Sequence, residues 1–200
     1  GHAAYPHLAD NPIRGLLQLT RALMDEPFDR GTQDFPPSNL EVTSFDTGNP
    51  AVNVIHAKAT AAFNIRFNDS WTVETLQAEI LRRLDAAASD GTLRPDRDPV
   101  RYGIEWSERP SHVFLTRNDA LIEALTVAVE QVTGRRPALS TTGGTSDARF
   151  IKDYCPVVEF GLVGQTMHMV DERVAVADLE TLTDIYGSFI ANWFAHARSA

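Results

Sequence analysis

The sequence is poor in cysteine, in basic residues and in long apolar runs. Its 200 residues include one cysteine, Cys155, so an internal disulfide is impossible, and its apolar context predicts a core position. The 18 lysines and arginines are outnumbered by 27 aspartates and glutamates, giving a net charge of −9. Proteins that bind the phosphate backbone need clustered Lys and Arg, so we expect no nucleic-acid partner. No apolar run approaches the roughly 18 residues of a membrane span, and no basic-then-apolar leader is visible, so we expect a cytoplasmic protein without a membrane partner.

Apolar periodicity predicts four helices. The composition, 43% hydrophobic and 22% charged, is typical of a globular chain of one domain or two small ones. Apolar residues recur at helical spacing after Asn11 and Pro12, after Thr72, from about Asp119, and over residues 179–193. We expect the apolar stripe of each helix to lie in a core.

Alternating apolar residues predict strands between these helices. Residues 40–45, 59–67 and 100–106 alternate with period two, and residues 157–160 form a short apolar run of the kind found in buried strands. The order up to residue 106 is helix, strand, strand, helix, strand. That order is typical of a ferredoxin-like fold without its first strand.

The pattern of elements changes near Pro110, and we place a domain boundary there. Residues 1–110 form the predicted ferredoxin-like domain, incomplete at its N-terminus. Residues 111–200 alternate helices with strand-like runs, which favours an α/β layer. The predicted fold class is therefore α/β (α+β).

Residues 140–150 (STTGGTSDARF) are the most informative stretch for chemistry. The glycine pair, Gly143 and Gly144, lets the backbone approach a ligand closely, and N–H groups at the start of the following helix would attract a carboxylate or phosphate. Arg149, one turn further on, is placed to bind a carboxylate through two hydrogen bonds. A glycine turn followed by a capped helix explains the same residues without a ligand, so both interpretations stay open at this point.

Two histidine-containing segments are candidates for metal or acid–base chemistry. His168 precedes Asp171 and Glu172, which makes it a candidate metal ligand or general base. His2 and His7 lie within one short segment and are candidates as well. A zinc site normally takes three or four protein ligands, so a structural role stays open for each histidine.

Three motifs occur together in one enzyme family. GHAAYPH at residues 1–7, GGTSDARF at residues 143–150 and MHMVDE at residues 167–172 appear in this order and at this separation. On these motifs the chain resembles, over essentially its whole length, the succinyl-diaminopimelate desuccinylases of the dinuclear-zinc aminoacylase/carboxypeptidase superfamily. The resemblance implies a hydrolase that converts N-succinyl-LL-diaminopimelate and water to succinate and LL-diaminopimelate, in lysine and diaminopimelate biosynthesis. It also implies a zinc catalytic domain, whose tail is residues 111–200, and a lid domain, residues 1–110, through which the enzyme forms a homodimer.

The same resemblance implies roles for individual residues. His168 matches one zinc ligand of the family. His2 matches the lid histidine that reaches into the partner subunit's site and stabilises the oxyanion. Six further residues match contacts to the succinylated amino-acid substrate: Tyr5, Asn53, Arg66, Gly144, Thr145 and Arg149. Arg66, Thr145 and Arg149 correspond to contacts with the substrate's carboxylates.

Other parts of the family's site have no match in these residues. The family binds two zinc ions (Zn2+) per active site, and its other zinc ligands and its general-base glutamate precede the GHxAYP motif. We therefore expect this chain to be the C-terminal portion of such an enzyme, inactive and without a tight dinuclear zinc site on its own. Two other interpretations stay open: a different deacylase of the superfamily, such as an acetylornithine deacetylase or an aminoacylase, and a non-catalytic dimerisation module.

Overall fold

The structure, a computed structural model, describes residues 1–95, 97–144 and 146–197. The chain divides into two compact units, Gly1–Val113 and Phe114–Ala200. Helices are combined with a small antiparallel sheet, so the predicted α+β class is confirmed. Within the described ranges, no helix has the length and apolar character that a membrane crossing requires.

The first helix of the first unit begins where the sequence predicts. α1 (Pro12–Met24) follows Asn11, whose side chain accepts a hydrogen bond from the Ile13 amide at 3.0 Å. Pro12 occupies the first helical position, where its missing N–H costs nothing. A 3-10 helix, Pro6–Leu8, precedes α1 and buries none of its residues.

Two strands and a second helix complete the regular structure of this unit. β1 (Asn39–Asp46) and β2 (Thr60–Arg66) form an antiparallel pair. α2 (Val73–Ala88) begins at a capping box, in which the side chains of Thr72 and Thr75 each accept a hydrogen bond from the other residue's backbone amide. The predicted helix start at Thr72 is confirmed.

The core of the first unit lies where α1, α2 and β1 meet. α1 packs against α2 and contacts both strands, and the strand register is irregular between Val42 and Ser44. Ile13, Leu17 and Met24 on α1 are exposed, so only part of its predicted apolar stripe is buried. The buried apolar residues of this core are Leu19, Leu23, Phe28, Leu40, Leu76, Ile80, Leu84, Ala87 and Ala88.

Residues 100–106 pack on this core without forming a strand. Val100, Tyr102, Ile104 and Trp106 are partly buried against it, as their period-two spacing predicts. The strand prediction itself is wrong, because the sheet in the described part of the chain consists of β1 and β2. Alternation follows from packing on a core, whereas a strand also needs a neighbouring strand for its backbone hydrogen bonds.

The second unit begins with a helix whose two ends are both defined by the sequence. α3 (Asp119–Thr133) is capped by Asn118, whose side chain accepts a hydrogen bond from the Leu121 amide at 2.9 Å. It ends at Gly134, which has a left-handed backbone with φ 69°. Glycine adopts that conformation without a Cβ clash, so the predicted end of this helix is confirmed.

Two further helices follow in this unit. α4 (Ala148–Ile151) is a single turn, and α5 (Val176–Ala197) packs along α3. Leu179 and Tyr186, from the predicted stripe of α5, are exposed, so that stripe is only partly buried. The buried apolar residues of the second core are Leu125, Ala128, Val129 and Ile185.

Two expectations about residues 155–160 are wrong. Val158 and Phe160 are partly buried against the second core, but the described structure assigns no strand to residues 157–160. Cys155, which was expected in a core, is exposed as a free thiol. It lies just beyond α4, in a loop that lines a surface cavity of about 440 Å³ with Tyr154 and Arg117.

Candidate functional site

Three predicted site residues of the first unit lie together. An isolated antiparallel bridge pairs His2 with Val54, and the Ala3 amide donates a hydrogen bond to the Asn53 carbonyl at 2.9 Å. The ring centroids of His2 and Tyr5 are 5.5 Å apart, with the ring planes tilted by 57°. The structure therefore brings His2, Tyr5 and Asn53 into one group, at the surface of the unit.

The imidazole of His2 has a defined orientation. Its Nδ1 accepts a hydrogen bond from the Ala4 amide at 3.0 Å. In the neutral ring one nitrogen accepts and the other carries the proton, so the proton lies on Nε2. The side chain is exposed, and an N–H group presented in this way can donate a hydrogen bond to an oxyanion.

Gly1, at the start of the segment that contains His2, pairs with Ile55 and lies close to Ala9. The Gly1 nitrogen donates to the Ile55 carbonyl at 2.7 Å, and the Ile55 amide donates to the Gly1 carbonyl at 2.7 Å. A Cβ added at Gly1 would lie 2.3 Å from the Cβ of Ala9, far inside van der Waals contact. This close approach requires glycine at position 1, so the first residue of the GHAAYPH motif has a steric role.

Arg66 is separated from this group. It is the last residue of β2 and lies opposite Asn39 in the strand register. Asn53 belongs to the loop that joins β1 to the other end of β2, at Thr60. At ~3.3 Å per residue, Thr60 and Arg66 are about 20 Å apart along the strand. The structure thus places Arg66 at the end of β2 that is remote from the loop carrying Asn53.

The glycine turn of the second unit is open at the surface. Gly143 has φ 128°, a conformation that favours glycine, and a Cβ at Gly144 would meet no atom within 4 Å. Backbone at Gly144 is therefore accessible to a ligand. The predicted contact Thr145 lies outside the described residues.

Arg149 lies on the single-turn helix α4 that follows this turn. Its side chain is half-buried, and its guanidinium carbon lies 4.6 Å from the centroid of the Phe150 ring. Such a cation–π contact orients the guanidinium without using its in-plane N–H groups. Asp147, at the N-terminus of α4, makes no capping hydrogen bond with its side chain.

His168 lies in a tight turn with an unusual backbone. Its φ is 61° and that of Asp171 is 60°, a left-handed conformation that non-glycine residues adopt only rarely. The turn is closed by Thr166, whose hydroxyl donates to the Arg173 carbonyl at 2.8 Å and accepts from the Arg173 amide at 3.0 Å. The His168 side chain is exposed.

The described residues do not fit a zinc site on their own. Among them, no group of three His, Cys, Asp or Glu side chains is close enough together to bind a metal ion. Structural and catalytic zinc sites take at least three protein ligands. His168 could therefore act as a metal ligand only together with residues from elsewhere.

The shifted pKa values of the first unit belong to contacts outside the predicted site. Hydrogen bonds and ion pairs with Arg82 and Arg83 lower the pKa of Glu79 to about 2. Burial and a hydrogen bond to Asp85 raise the pKa of Tyr102 to about 12. The Glu79 ion pairs lie within α2, and the Tyr102 hydrogen bond joins α2 to residues 100–106, so both shifts belong to structural contacts.

The sequence alone predicts no role for two arginines that contact the segment carrying His2. Arg94 binds the carboxylate of Asp10, and Arg97 donates a hydrogen bond to the Pro6 carbonyl at 3.0 Å. Both arginines lie in the turn-rich stretch after α2, where composition alone indicates a solvent-exposed loop. The one available signal was the placement of two arginines in an otherwise acidic stretch, which does not specify a partner.

Comparisons with known proteins place these features in a family context. Residues 1–92 match the family M20_dimer, described as "Peptidase dimerisation domain". Over 96% of its length the chain is similar to aminopeptidase PepT from Bacillus cereus ATCC 10987, with a TM-score of 0.56 and 17% sequence identity. The chain covers 48% of that protein, so it spans about half the length of this relative. The family match thus concerns residues 1–92, and the structural similarity shows a shared fold.

Proposed function

We propose that this chain is part of a zinc-dependent amide hydrolase, a succinyl-diaminopimelate desuccinylase, which converts N-succinyl-LL-diaminopimelate and water to succinate and LL-diaminopimelate. The observation that carries the proposal is the orientation of His2. Its Nδ1 accepts from the Ala4 amide, so in the neutral ring Nε2 carries the proton and is a hydrogen-bond donor. That is the group that an oxyanion-stabilising histidine needs.

The neighbours of His2 suit the binding of an acylated amino acid. The Tyr5 ring lies beside the imidazole, and the exposed Asn53 is paired with the same segment through its backbone carbonyl. Both side chains provide neutral hydrogen-bonding groups. A diaminopimelate derivative carries several carboxylates, and arginine is the side chain best suited to bind them. The proposed carboxylate and backbone contacts are Arg66, Gly144, Thr145 and Arg149.

Zinc binding in this proposal requires residues beyond those that the structure describes. His168 would supply one ligand. The described residues contain no set of three metal-binding side chains, so the remaining ligands would come from another segment. The chain's own groups would bind the substrate carboxylates and donate a hydrogen bond from Nε2–H to the developing oxyanion.

The proposed assembly is a homodimer formed through the first unit. The match of residues 1–92 to a peptidase dimerisation domain supports this assignment. In the proposed dimer, His2 of each subunit serves the active site of the other. An inactive His2 variant mixed with a variant inactive in the catalytic half should then recover up to about a quarter of the activity, because one kind of site in the mixed dimer is intact.

The test is an assay of the intact enzyme that carries this sequence. We expect hydrolysis of N-succinyl-LL-diaminopimelate in preference to N-acetylornithine and to a tripeptide. His2→Ala should lower kcat by about 10²–10³-fold, the usual effect of losing one oxyanion donor, whereas His112→Ala should leave it unchanged. Preference for the acetylated substrate would favour another deacylase, preference for the peptide an aminopeptidase, and no hydrolysis at all a non-catalytic dimerisation module.

Metal content provides a second test that does not depend on turnover. The isolated 200-residue chain should contain no stoichiometric zinc by elemental analysis. In the intact enzyme, His168→Ala should lower the zinc content, and Arg149→Ala should leave it unchanged while weakening substrate binding. Stoichiometric zinc in the isolated chain, or turnover by it, would contradict the proposed division of the site.

A further inference from the structure

The segment that carries His2 and Tyr5 has no hydrophobic anchor. Residues 1–8 are all exposed, and the 3-10 helix Pro6–Leu8 buries none of its side chains. A surface segment without buried apolar contacts is normally mobile. Among the described residues, the contacts that hold it to other parts of the first unit are polar.

One end of this segment is attached to the loop between β1 and β2. The attachment consists of the paired hydrogen bonds between Gly1 and Ile55 and the bond from the Ala3 amide to the Asn53 carbonyl. That loop is itself exposed, with Val52 at 99% exposure. It is therefore a weak support for the segment.

The other end is attached to the turn that follows α2. The Arg94 guanidinium contacts both carboxylate oxygens of Asp10, with Nε 3.3 Å from Oδ1. The Arg94 side chain is 6% exposed although it is charged, whereas that of Asp10 is 56% exposed. A cation that is nearly buried needs such a partner, since an unpaired one would be costly to desolvate. Arg97 adds a hydrogen bond from its guanidinium to the Pro6 carbonyl at 3.0 Å.

The turn that carries both arginines is fixed to the core. The Arg94 amide donates to the Gly91 carbonyl at 3.1 Å. The buried Gln18 side chain on α1 donates to the carbonyls of Ala87 and Asp90, at the C-terminal end of α2. The two arginines therefore extend from a rigid base to a segment that lacks one.

We propose that Arg94 and Arg97 are positioning residues, which fix residues 1–10 to the end of α2 and so set the places of His2 and Tyr5. The consequence for hydrolysis rests on the proposed function, because it requires His2 to act on a substrate. The structural half of the proposal does not require it. Arg94 binds the Asp10 side chain and Arg97 the Pro6 carbonyl, so each would act on His2 and Tyr5 through the segment.

The structural half is tested on the 200-residue chain by NMR relaxation. In the wild type we expect backbone order parameters of about 0.85 for residues 4–9, as in rigid structure. Arg97→Met, which keeps the apolar stem and removes one hydrogen bond, should lower them below about 0.6 without loss of fold. Arg94→Met should lower the order parameters in the same way. Arg94→Lys should give intermediate order parameters, because lysine keeps the charge without the two-point contact. The matched control is Arg21→Met, which breaks the exposed ion pair with Asp25 and should change nothing in residues 4–9.

The functional half is tested on the intact enzyme. Arg97→Met and Arg94→Met should lower kcat about tenfold or more with little change in KM, because a misplaced oxyanion donor affects the transition state more than the bound substrate. Unchanged order parameters in both variants would overturn the proposal. Lower order parameters with wild-type kcat would overturn the positioning role. If the wild-type enzyme hydrolyses none of the substrates, the proposed function fails, and the order parameters alone decide whether the arginines fix the segment.

Discussion

Replacing Asp29 by asparagine should unfold the first unit more easily, because one carboxylate organises the loop between α1 and β1. Its Oδ1 accepts hydrogen bonds from the Gly31 amide at 2.8 Å, the Ser38 amide at 3.1 Å and the Asn68 side chain at 2.7 Å. Its Oδ2 accepts from the Trp71 indole at 2.8 Å. Asn68 is 2% exposed, so the network reaches into the core. Four donors from separate parts of the chain thus converge on one side chain.

The magnitude follows from counting these bonds. An asparagine amide can keep one oxygen toward the three donors on Oδ1, but its NH2 group then faces the Trp71 N–H. One bond to a charged acceptor is lost, at roughly 1.5–3 kcal/mol, and the other three become weaker neutral bonds. We expect Asp29→Asn to lower the free energy of unfolding by about 3 kcal/mol near neutral pH.

The effect should also depend on pH. Burial raises the pKa of the Asp29 carboxyl, but hydrogen bonds from Ser38, Gly31 and Trp71 together lower it more, so the pKa lies well below its ordinary value. A carboxyl with a lowered pKa in the folded state contributes stability above its unfolded pKa of about 3.9, and that contribution is lost as the pH falls toward the folded pKa. The difference in free energy of unfolding between wild type and Asp29→Asn should therefore be constant above about pH 5 and become smaller below about pH 4.

The assay is urea unfolding followed by tryptophan fluorescence at several pH values. The matched control is Asp25→Asn, which removes an exposed carboxylate whose ion pair with Arg21 leaves both side chains more than half exposed. Such pairs contribute about 0–1 kcal/mol, so the control should lie close to the wild type. Equal free energies of unfolding for Asp29→Asn and Asp25→Asn would refute the reasoning. So would a difference between wild type and Asp29→Asn that grows as the pH falls.

Two further substitutions test other parts of the chain. Burial and the hydrogen bond to Asp85 raise the pKa of Tyr102 to about 12, so Tyr102→Phe should remove the latest step of an ultraviolet phenolate titration. Because the folded state disfavours the phenolate, the wild type's higher free energy of unfolding relative to this variant should be lost as the pH rises from about 10 to 12. An unchanged phenolate titration in Tyr102→Phe would contradict the assignment. Gly134→Ala should destabilise the second unit by roughly 1–2 kcal/mol in thermal unfolding because position 134 is left-handed. The control is Gly91→Ala, at a position where space is open and φ is not left-handed. Equal melting temperatures of the two variants would contradict the argument.

The helices could be predicted because their boundary signals are local. Asn11 and Thr72 accept hydrogen bonds from amides within three residues, and Gly134 ends α3 through its own backbone conformation. Each signal acts within one turn of helix, so a single sequence contains all the information that it needs.

The predicted strands at residues 100–106 and 157–160 failed for the opposite reason. Their alternation and apolar character predict burial, and Tyr102, Trp106 and Phe160 do pack on the two cores. Strand formation depends on a partner strand at the right distance and register, which these residues do not specify. The residues of a segment thus predict whether it is buried, whereas its pairing into a sheet depends on a neighbouring strand.

The candidate site combines both cases. The GHAAYPH motif identifies His2 from the sequence, and the Ala4 amide that orients its ring is two residues away. The position of the segment depends instead on Arg94 and Arg97, which contact it across 84 and 91 residues of chain. Neither arginine lies in a motif, and neither periodicity nor composition relates a charged side chain to a partner so far along the chain. A motif can therefore point to a candidate group, while the contacts that the segment makes far along the chain are visible only once the chain is folded.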